Sequence, residues 1–423
     1  MIEMIRNYNF WVITDEQKET SVNLQFIYNR TSKEEIAVKD FIYSYPVKVY
    51  FGEKAAAKAL PAELAKAGKT VMVAYGGGSV KKSGVYDEIC GYLKEAGKEI
   101  VDFSGIMPNP TYKKVQEGAA LAREKNVDFI LAVGGGSVID CCKIIACQAA
   151  LDEDIWEMEF KNHIYPTEHL PMGAIVTASG TGAEMNNGAV ITNEDTNEKA
   201  GVLGAYASFA VLDVDYTMTL PKKQVISGAF DTLSHSMETY LGSPRDVNLS
   251  DEIAEAVMRN VIRNIRALLV DLNDKEARTE LMWASAMAEN GILKIGKVTD
   301  FQAHQIEHQL GAYTDCNHGQ GLAVIHPVLY RHMCKDGVKQ FARMAEKVWE
   351  IPAEDKSPEQ LAGEGVQALK DFVKEIGMPS TFTEMGITDK SVLKKVADTC
   401  NLTAGCCKKL SREEILEILE ECW

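Results

Sequence analysis

The chain has 423 residues, of which 46% are hydrophobic and 25% are charged, and its formal net charge is -16. This length allows two or three domains with full cores, and the composition is typical of a soluble globular protein. The negative charge argues against nucleic acid or an anionic membrane as the main partner. No segment contains the roughly 18 consecutive apolar residues that a membrane helix needs.

The N-terminal residues and the cysteines both bear on the cellular compartment. The first twenty residues carry four acidic side chains and lack the continuous apolar core of a signal peptide. The ten cysteines are scattered, with adjacent pairs only at 141–142 and 406–407 and no Cys-x2-Cys motif. Unpatterned thiols in a large acidic chain indicate a reducing environment. We therefore expect a cytoplasmic protein.

Residues 40–220 alternate strand-like and helix-like segments. The predicted strands are VKVYF (47–51), TVMVAYGGGS (70–79), EIVDFS (99–104), DFILAVGGGS (128–137), MGAIVTAS (172–179) and FAVLDVD (209–215). The predicted helices lie near 53–67, 83–96, 111–125 and 138–150. Apolar runs separated by amphipathic helices indicate an α/β domain with a parallel sheet covered on both faces.

From Pro221 onward the pattern is almost entirely helical, as in DEIAEAVMRNVIRNIRALLVDL and REEILEILEEC. Pro221 suits the first turn of a helix, and we place a domain boundary there. Residues 40–220 would then form an α/β dinucleotide-binding domain, and 221–423 an all-helical metal-binding and catalytic domain. Residues 1–39 would be an N-terminal extension without an interpretable motif. An active site is expected in the cleft between the two domains.

Two of the predicted strands end in the same glycine-rich tetrad, at 76–79 and at 134–137. Glycines after a buried strand let the backbone approach a pyrophosphate, and a following helix supplies N–H donors. The second tetrad is the better candidate because a helix begins directly after it. In that helix, Asp140 could cap the N-terminus or contact a cofactor. TASGTGAE (177–184) follows a third strand, and neither tetrad matches G-x-G-x-x-G.

Five residues of the helical half form two short patterns that are typical of a metal site. Asp231 and His235 lie four residues apart, and His304, His308 and His318 follow the pattern His-x3-His-x9-His. Side chains four apart share one face of a helix. One carboxylate with imidazoles is a donor set that Zn²⁺ and Fe²⁺ favour. These residues alone do not decide between His304 and His308 as the ligand.

A shared metal also requires the chain to turn between His304 and His318. In one straight helix the two residues would lie about 21 Å apart, whereas two ligand atoms of one metal lie within roughly 4 Å of each other. The residues that supply helix-stop and turn chemistry here are Gly311, Asp315, Asn317 and Gly319. We therefore expect the chain to fold back in this stretch.

Together these segments resemble the iron-containing alcohol dehydrogenase family, in its branch of butanol dehydrogenases and NADPH-dependent aldehyde reductases. The resemblance covers residues 40–423 and rests on VYFGEKA, YGGGSVKKSGVYDEI, ILAVGGGSVIDCCK, TASGTGAEMNNGAVIT, FAVLDVDYTMTLP, GAFDTLSHSME and AHQIEHQLGAYTDCNHGQGLA. It implies a dehydroquinate synthase-like architecture, a homodimer and one divalent metal, Fe²⁺ or Zn²⁺. Similar proteins begin close to Asp40, and Val38 could be the true initiator through a GUG codon.

The resemblance also assigns roles to individual residues. It implies four metal ligands, Asp231, His235, His304 and His318, and it leaves His308 beside the metal as a catalytic residue. The cofactor contacts that it implies are Gly77, Gly78, Ser79, Gly135, Gly136, Ser137, Val138, Thr177, Asn186, Lys199, Tyr216, Thr217, Thr219 and Leu220. The implied reaction is reversible hydride transfer between NADP(H) and a simple aldehyde or primary alcohol such as butanal or butanol. In it the metal is a Lewis acid, and a proton passes through water or His308.

Other functions of the same fold are open alternatives. They are a polyol dehydrogenase of the glycerol type and a metal-dependent lyase. Such a lyase needs several lysines and arginines for an anionic substrate, and residues 227–242 and 300–320 contain none. A non-catalytic metal- or nucleotide-binding protein is a more distant alternative, and the retention of all four ligand-type residues argues against it.

The first glycine tetrad predicts the choice of cofactor. NAD-specific sites usually place a carboxylate after a strand to bind the ribose 2′-hydroxyl. After TVMVAY the chain has no acidic residue before Asp87, and Lys81 and Lys82 follow the tetrad closely. A lysine there could bind the 2′-phosphate of NADP(H). We therefore expect NADP(H) to be preferred over NAD(H).

Overall fold

The computed structural model describes residues 41–243 and 248–423. The predicted extension, residues 1–39, lies outside the described residues. Strands and helices alternate before Pro221, and only helices and a 3₁₀ turn follow it in the described chain. The predicted fold class, an α/β half followed by a helical half, is confirmed.

The first half contains all the described strands. These are β1 (Lys48–Phe51), β2 (Thr70–Tyr75), β3 (Glu99–Phe103), β4 (Phe129–Gly134), β5 (Met172–Val176), β6 (Gly188–Asn193), β7 (Glu198–Leu203) and β8 (Phe209–Leu212). The helices of this half are α1 (Ala55–Leu64), α2 (Ser79–Lys82), α3 (Val85–Glu95), α4 (Tyr112–Glu124), α5 (Gly136–Ala150) and α6 (Ile155–Phe160).

Six of the strands form one parallel sheet in the order β1-β8-β5-β4-β2-β3. Both faces of its central strands are buried. Ile130 of β4 belongs to the apolar cluster that contains α4 and α5 side chains, whereas Leu131 belongs to the cluster on the side of α1 and α3. This burial explains why the strands are continuous apolar runs rather than alternating ones.

The strand order reverses between β2 and β4. From β2 the chain moves outward to the edge strand β3, then returns to the other side of β2 as β4 and continues away from it to β5. In parallel α/β sheets such a reversal leaves a crevice at the carboxyl ends of the strands, where ligands bind. Both glycine tetrads follow the strands that flank this crevice.

The second half is a bundle of helices around one apolar core. The helices are α7 (Lys222–Tyr240), α8 (Leu249–Val270), α9 (Lys275–Glu289), α10 (Gln302–Thr314), α11 (His318–Met333), α12 (Val338–Lys347), α13 (Pro358–Glu375), α14 (Val392–Thr399) and α15 (Arg412–Glu421). Among the described residues, no helix is both long and apolar enough to cross a membrane.

Several elements were not predicted from the sequence, including the one-turn helix α2. β6 and β7 form a separate antiparallel hairpin, which packs against α5 and α10. The short helix α6 lies between α5 and β5. Helix boundaries also differ slightly, because α5 begins at Gly136 rather than at 138, and Pro221 precedes the first residue of α7 as its N-cap.

Candidate active site

A cleft of about 230 Å³ lies between the α/β half and the helical half. The predicted site residues that line it are Gly136, Ser137, Asp140, Asn186, Lys199, Asp231, His235, His304, His308 and His318. Residues that are almost two hundred positions apart in sequence therefore meet in one place, as expected for a site between the two halves.

Asp231 and His235 lie on one buried face of α7, and His304 and His308 lie on one buried face of α10. The spacing of four residues produces this alignment because an α-helix has 3.6 residues per turn. His318 is the first residue of α11 and is partly exposed to the cleft.

The predicted reversal of the chain occurs between α10 and α11. Asp315 ends α10 in the left-handed conformation, with φ of 49°, and the Asn317 side chain caps α11 by accepting from Gln320 N. Gly311 and Gly319 lie inside the helices and do not form the turn. A Cβ at Gly319 would lie 2.3 Å from Ser227 O, so this glycine allows α11 to pack closely on α7.

Three imidazole Nε2 atoms surround one carboxylate oxygen, Asp231 Oδ1. The distances to this oxygen are 3.8 Å from His235, 3.5 Å from His304 and 3.4 Å from His318. Asp231 Oδ1 and His304 Nε2 are buried, and neither has a hydrogen-bond partner among the described residues. Buried polar atoms without partners are unfavourable, so these donors require a common ligand.

The arrangement fits a divalent cation. Four donor atoms about 2 Å from one cation in tetrahedral geometry lie roughly 3.4 Å from each other. The ligand atoms of Asp231, His304 and His318 all lie within 4.8 Å of one another. His235 stands slightly further out, with its ring stacked on that of His304 at 4.6 Å between centroids.

Each of these three imidazoles has a second carboxylate behind it. His304 Nδ1 donates to Glu238, and His318 Nδ1 donates to Glu307. His235 Nδ1 lies 4.0 Å from Glu289 Oε1. The contacts of His304 and His318 fix the ring orientation and direct Nε2 towards a metal.

These three carboxylates, Glu238, Glu307 and Glu289, were not predicted from the sequence. Two of them had a local signal, because Glu238 follows His235 by three residues and Glu307 follows His304 by three on helices already predicted. Glu289 had none, since it belongs to α9 and only the folding of the chain brings it to His235.

Burial and neighbouring charges shift the pKa values of these side chains. Burial would raise the pKa of Asp231, but the charges of His235 and His318 lower it well below its ordinary value. Burial opposes protonation of His304, yet its neighbouring carboxylates raise its pKa to about 10. Burial and the charge of Lys199 lower the pKa of His308 well below its ordinary value. Binding of a metal at Nε2 of His304 would therefore compete with a proton on that nitrogen, whereas the lowered pKa of His308 favours its neutral form.

His308 lies near His318, but it is not one of the three histidines that surround Asp231 Oδ1. Its ring centroid is 5.6 Å from that of His318, and its Nδ1 has no partner in the described structure. A second group of metal-ligand type, Glu307, His308 and His318, shares His318 with the first. In that group, however, Glu307 already accepts from His318 Nδ1 and lies 3.5 Å from Lys199 Nζ.

The N-terminus of α5 enters the cleft at Gly136 and Ser137. The N–H of Val138 donates to Gly135 O at 3.0 Å, and the first amides of a helix are the ones left for a ligand. A Cβ atom at Gly135 would lie 3.0 Å from Ala178, and one at Gly136 would lie 2.4 Å from Thr181. These glycines are therefore also required for close packing against the 177–184 turn.

Asp140 does not cap α5, so that alternative is wrong. The N-cap is Gly135, without a side-chain cap. Asp140 instead accepts from Val190 N at 2.9 Å and lies 3.3 Å from Lys143 Nζ, which joins α5 to the β6–β7 hairpin. Asn186 Oδ1 accepts from Lys143 at 3.0 Å, and its Nδ2 donates to Glu289 Oε2 at 3.2 Å.

The remaining predicted cofactor residues lie outside this cleft. Gly77, Gly78 and Ser79 form the turn from β2 into α2. Thr177 N donates to Gly134 O, which links the turns after β4 and β5. Four predicted cofactor residues lie in the segment 216–220. Tyr216 and Thr217 are buried, Thr219 is exposed, and Leu220 is half-buried.

Two sequence profiles together match nearly all of the described chain. The profile "Iron-containing alcohol dehydrogenase" matches residues 46–214, and "Fe-containing alcohol dehydrogenase family, C-terminal" matches residues 225–423. The chain belongs to the iron-containing alcohol dehydrogenase family. The relatives to which it is similar include butanol dehydrogenases and an aldehyde reductase.

The chain is 38% identical to NADH-dependent butanol dehydrogenase A of Clostridium acetobutylicum, over 90% of this chain and 99% of that protein. It is 33% identical to NADPH-dependent aldehyde reductase YqhD of Escherichia coli, over 85% of this chain and 94% of that protein. The crystal structure of NADH-dependent butanol dehydrogenase A from Thermotoga maritima matches with a TM-score of 0.85 at 35% identity, covering 91% of this chain and 98% of that one.

Membership of the iron-containing alcohol dehydrogenase family makes this protein an oxidoreductase that acts on CH–OH donors, as an alcohol dehydrogenase or aldehyde reductase. The family implies a divalent metal and a nicotinamide cofactor. The buried nitrogen and oxygen atoms around Asp231 Oδ1 fit a divalent metal. The crevice at the reversal of strand order between β2 and β4 fits a nicotinamide cofactor.

Proposed function

We propose that this protein is a metal-dependent, NADP(H)-linked alcohol dehydrogenase that reduces simple aldehydes such as butanal and oxidises the corresponding primary alcohols. The observation that supports this proposal most strongly is that three histidine Nε2 atoms lie 3.4–3.8 Å from Asp231 Oδ1. This cluster opens into the same cleft as the N-terminus of α5. A cleft that contains both metal-ligand atoms and N–H groups able to bind a phosphate suits hydride transfer from a bound cofactor to a polarised carbonyl.

The ligands that we propose for one Fe²⁺ or Zn²⁺ are Asp231, His235, His304 and His318. One carboxylate and three imidazoles are a donor set of the type that both metals accept. The group containing Glu307 is less suitable, because that carboxylate is already engaged by His318 and Lys199. A cation held there would polarise the aldehyde oxygen as a Lewis acid.

The chain's own groups would position the reactants and move the proton. The amides of Gly136 and Ser137 face the cleft and would bind the pyrophosphate. The groove would continue across the crevice to the Gly77–Ser79 turn, which has room for the adenosine ribose. His308 is buried, and burial together with the charge of Lys199 lowers its pKa, which favours the neutral imidazole. A neutral imidazole carries one donor and one acceptor, so it can pass a proton between water and the substrate oxygen.

The charges in the cleft favour an uncharged substrate. Lysines do line it, although the segments around the predicted ligands contain none. Lys199 Nζ lies 3.5 Å from Glu307 Oε2, and Lys294 Nζ lies 2.9 Å from Glu289 Oε2. Each ammonium thus has a buried carboxylate partner and offers little net charge to an anionic substrate of the lyase type. Phe301 adds an apolar wall beside the metal donors.

The preference for NADP(H) belongs to this proposal. It is supported by the Gly77–Ser79 turn, which carries no acidic side chain, and by Lys81 close to it. The names of the relatives are divided. Butanol dehydrogenases of Bacillus subtilis and Clostridium acetobutylicum are described as NADH-dependent, whereas a butanol dehydrogenase of Clostridium saccharobutylicum and the aldehyde reductase are described as NADPH-dependent. We expect this chain to use NADPH better than NADH.

We also propose a division of labour along the chain. Residues 40–220 would bind the dinucleotide, 221–423 would hold the metal and the substrate, and 1–39 would take no part in the reaction. A homodimer in the cytoplasm is the expected state. The cytoplasmic location is supported by the ten cysteines, none of which forms a disulfide in the described structure.

One experiment tests the main proposal. Purified protein is analysed for bound metal and assayed at 340 nm with butanal and with glycerol, using NADPH and NADH in parallel. We expect about one divalent metal per chain, turnover with butanal and a higher kcat/KM with NADPH. Faster oxidation of glycerol would favour the polyol dehydrogenase, and a nucleotide-binding protein without any turnover would overturn the proposed reaction.

A further inference from the structure

An acidic side chain does lie beside the first glycine tetrad, and it comes from the neighbouring strand. Asp102 of β3 pairs in register with Val73 of β2, so its carboxylate lies near the end of β2. Oδ2 accepts from the hydroxyl of Tyr75 at 2.7 Å, and Oδ1 accepts from that of Tyr86 at 2.5 Å. Two tyrosine hydroxyls therefore hold both oxygens of one exposed carboxylate.

Lys81 completes this cluster. Its Nζ lies 3.9 Å from Asp102 Oδ2, and it stands over the rings of Tyr75 and Tyr86 at 4.8 Å and 4.4 Å from their centroids. The two rings meet edge to face at 5.1 Å. Both charged side chains are close to half exposed, at 48% for Lys81 and 42% for Asp102, so a ligand at the turn can reach either of them.

The backbone beside this cluster is open. A Cβ built on Gly77 or Gly78 would meet no heavy atom within 4 Å. The glycines of the second tetrad differ, because neighbouring side chains or backbone fill the space around them. Packing therefore does not explain the first pair. The left-handed conformation of Gly78, with φ of 106°, accounts for the second of these glycines. Gly77 has neither constraint, which leaves close approach of a ligand backbone or sugar as the reason for a glycine there.

We propose that Asp102 and Lys81 together set the choice between NADH and NADPH, with Asp102 favouring the ribose 2′-hydroxyl and Lys81 favouring the 2′-phosphate. This inference rests on the proposed dinucleotide site. A carboxylate accepts a hydrogen bond from the 2′-hydroxyl and repels a phosphate, whereas an ammonium attracts a phosphate.

The tyrosines determine which charge prevails. Each hydroxyl that donates to Asp102 occupies a lone pair that the ribose would otherwise use, and it reduces the repulsion of a phosphate. Lys81 lies over the aromatic faces rather than in tight contact with the carboxylate, so it can turn to an incoming phosphate. The preference for NADPH is consequently moderate rather than absolute, and it depends on groups that can be changed one at a time.

Three variants test this, of which one should raise and two should lower the ratio of the two dissociation constants. Asp102→Asn should raise the ratio of the NADH to the NADPH dissociation constant about tenfold, and Lys81→Met should lower it about tenfold. Tyr86→Phe, which leaves the charge of Asp102 but frees one of its oxygens, should also lower the ratio. The controls are Asp87→Asn and Lys94→Met, exposed charges on the adjacent helix α3, and neither should change it.

Dissociation constants are measured by quenching of protein fluorescence without aldehyde, and the kcat/KM ratio for butanal is measured separately. If the unmodified protein binds neither nucleotide, the proposed function fails and the inference fails with it. If both nucleotides bind but Lys81→Met and Asp102→Asn leave their ratio unchanged, only the inference is overturned. Misfolding of one variant leaves the other as an independent test.

Discussion

His318 donates its Nδ1 proton to the fully buried carboxylate of Glu307. This contact leaves Nε2 as the free nitrogen, 3.4 Å from Asp231 Oδ1. The tautomer of a metal-binding histidine is set by such a contact on its other nitrogen. Glu307 is held in turn by Lys199, 3.5 Å away across the cleft.

Replacing Glu307 by glutamine tests how far this carboxylate supports metal binding. The amide can still accept from His318, but it loses the charge that balances Lys199 and the imidazole. We expect metal affinity to fall roughly ten- to a hundredfold, measured by competition with a chelator. Glu168→Gln, at an exposed position, is the control, and equal affinity of the two variants would show that Glu307 has no such role.

Alanine variants of His308 and His318 should differ in whether they lose the metal or only the turnover. His318→Ala removes a proposed ligand, so metal content and turnover should both fall to near background while thermal unfolding stays cooperative. His308→Ala should keep about one metal per chain and lower kcat by roughly two orders of magnitude, the usual contribution of a proton-transferring group. Loss of metal from His308→Ala to the extent seen in His304→Ala would make His308 a ligand.

The two glycine tetrads should respond differently to alanine. Gly136→Ala would place a Cβ 2.4 Å from Thr181, so we expect a lower melting temperature as well as weaker cofactor binding. Gly77→Ala meets no neighbouring atom, so it should weaken NADPH binding several-fold while the melting temperature stays unchanged. Calorimetry and fluorescence titration of the two variants measure these effects, and a destabilised Gly77→Ala protein would contradict the contrast.

Glu159 predicts a pH dependence of stability away from the metal site. Burial raises its pKa to about 8, and both oxygens accept from Leu203 N. A carboxyl with a raised folded-state pKa stabilises the fold below its unfolded pKa, near 4.5, and this contribution is lost as pH rises through about 8. Glu159→Gln should therefore melt roughly 2–4 °C higher than the parent at pH 9 and match it at pH 4.5. An equal difference at both pH values would contradict this assignment.

Deletion of residues 1–38 should leave kcat/KM and the melting temperature unchanged. The segment carries no motif that the proposed reaction uses, and the first strand of the sheet begins only at Lys48. Activity assays and calorimetry of the shortened chain check this. A large loss of either quantity would assign the segment a part in the fold or in assembly.

Local sequence patterns predicted the elements whose burial leaves a regular pattern in the sequence. The apolar runs of β2 and β4 and the amphipathic helices near them were recognised because burial on both faces leaves a continuous apolar pattern. The same reasoning placed Asp231 with His235, and His304 with His308, on single helix faces. The reversal before His318 followed from distance alone.

Contacts between segments that are distant in sequence could not be predicted from local patterns. Asp102 could not be predicted as part of the cofactor site, because an acidic side chain was expected in the chain directly after β2, whereas this carboxylate comes from the adjacent strand β3. The antiparallel hairpin was missed for a related reason. Its burial depends on α5 and α10, which pack against it only in the folded protein, so its strands lack a strong pattern of their own.

The turn between α10 and α11 limits how this part of the sequence can vary in length. Surface loops usually tolerate an extra residue, since lengthening them costs little entropy. Here only the residues from Asp315 to Asn317 separate the helices that carry His304 and His318. One inserted residue, if absorbed at the start of α11, would rotate His318 by about 100° around the helix axis and direct its imidazole away from Asp231. An insertion that leaves the helices intact would therefore still dismantle the site.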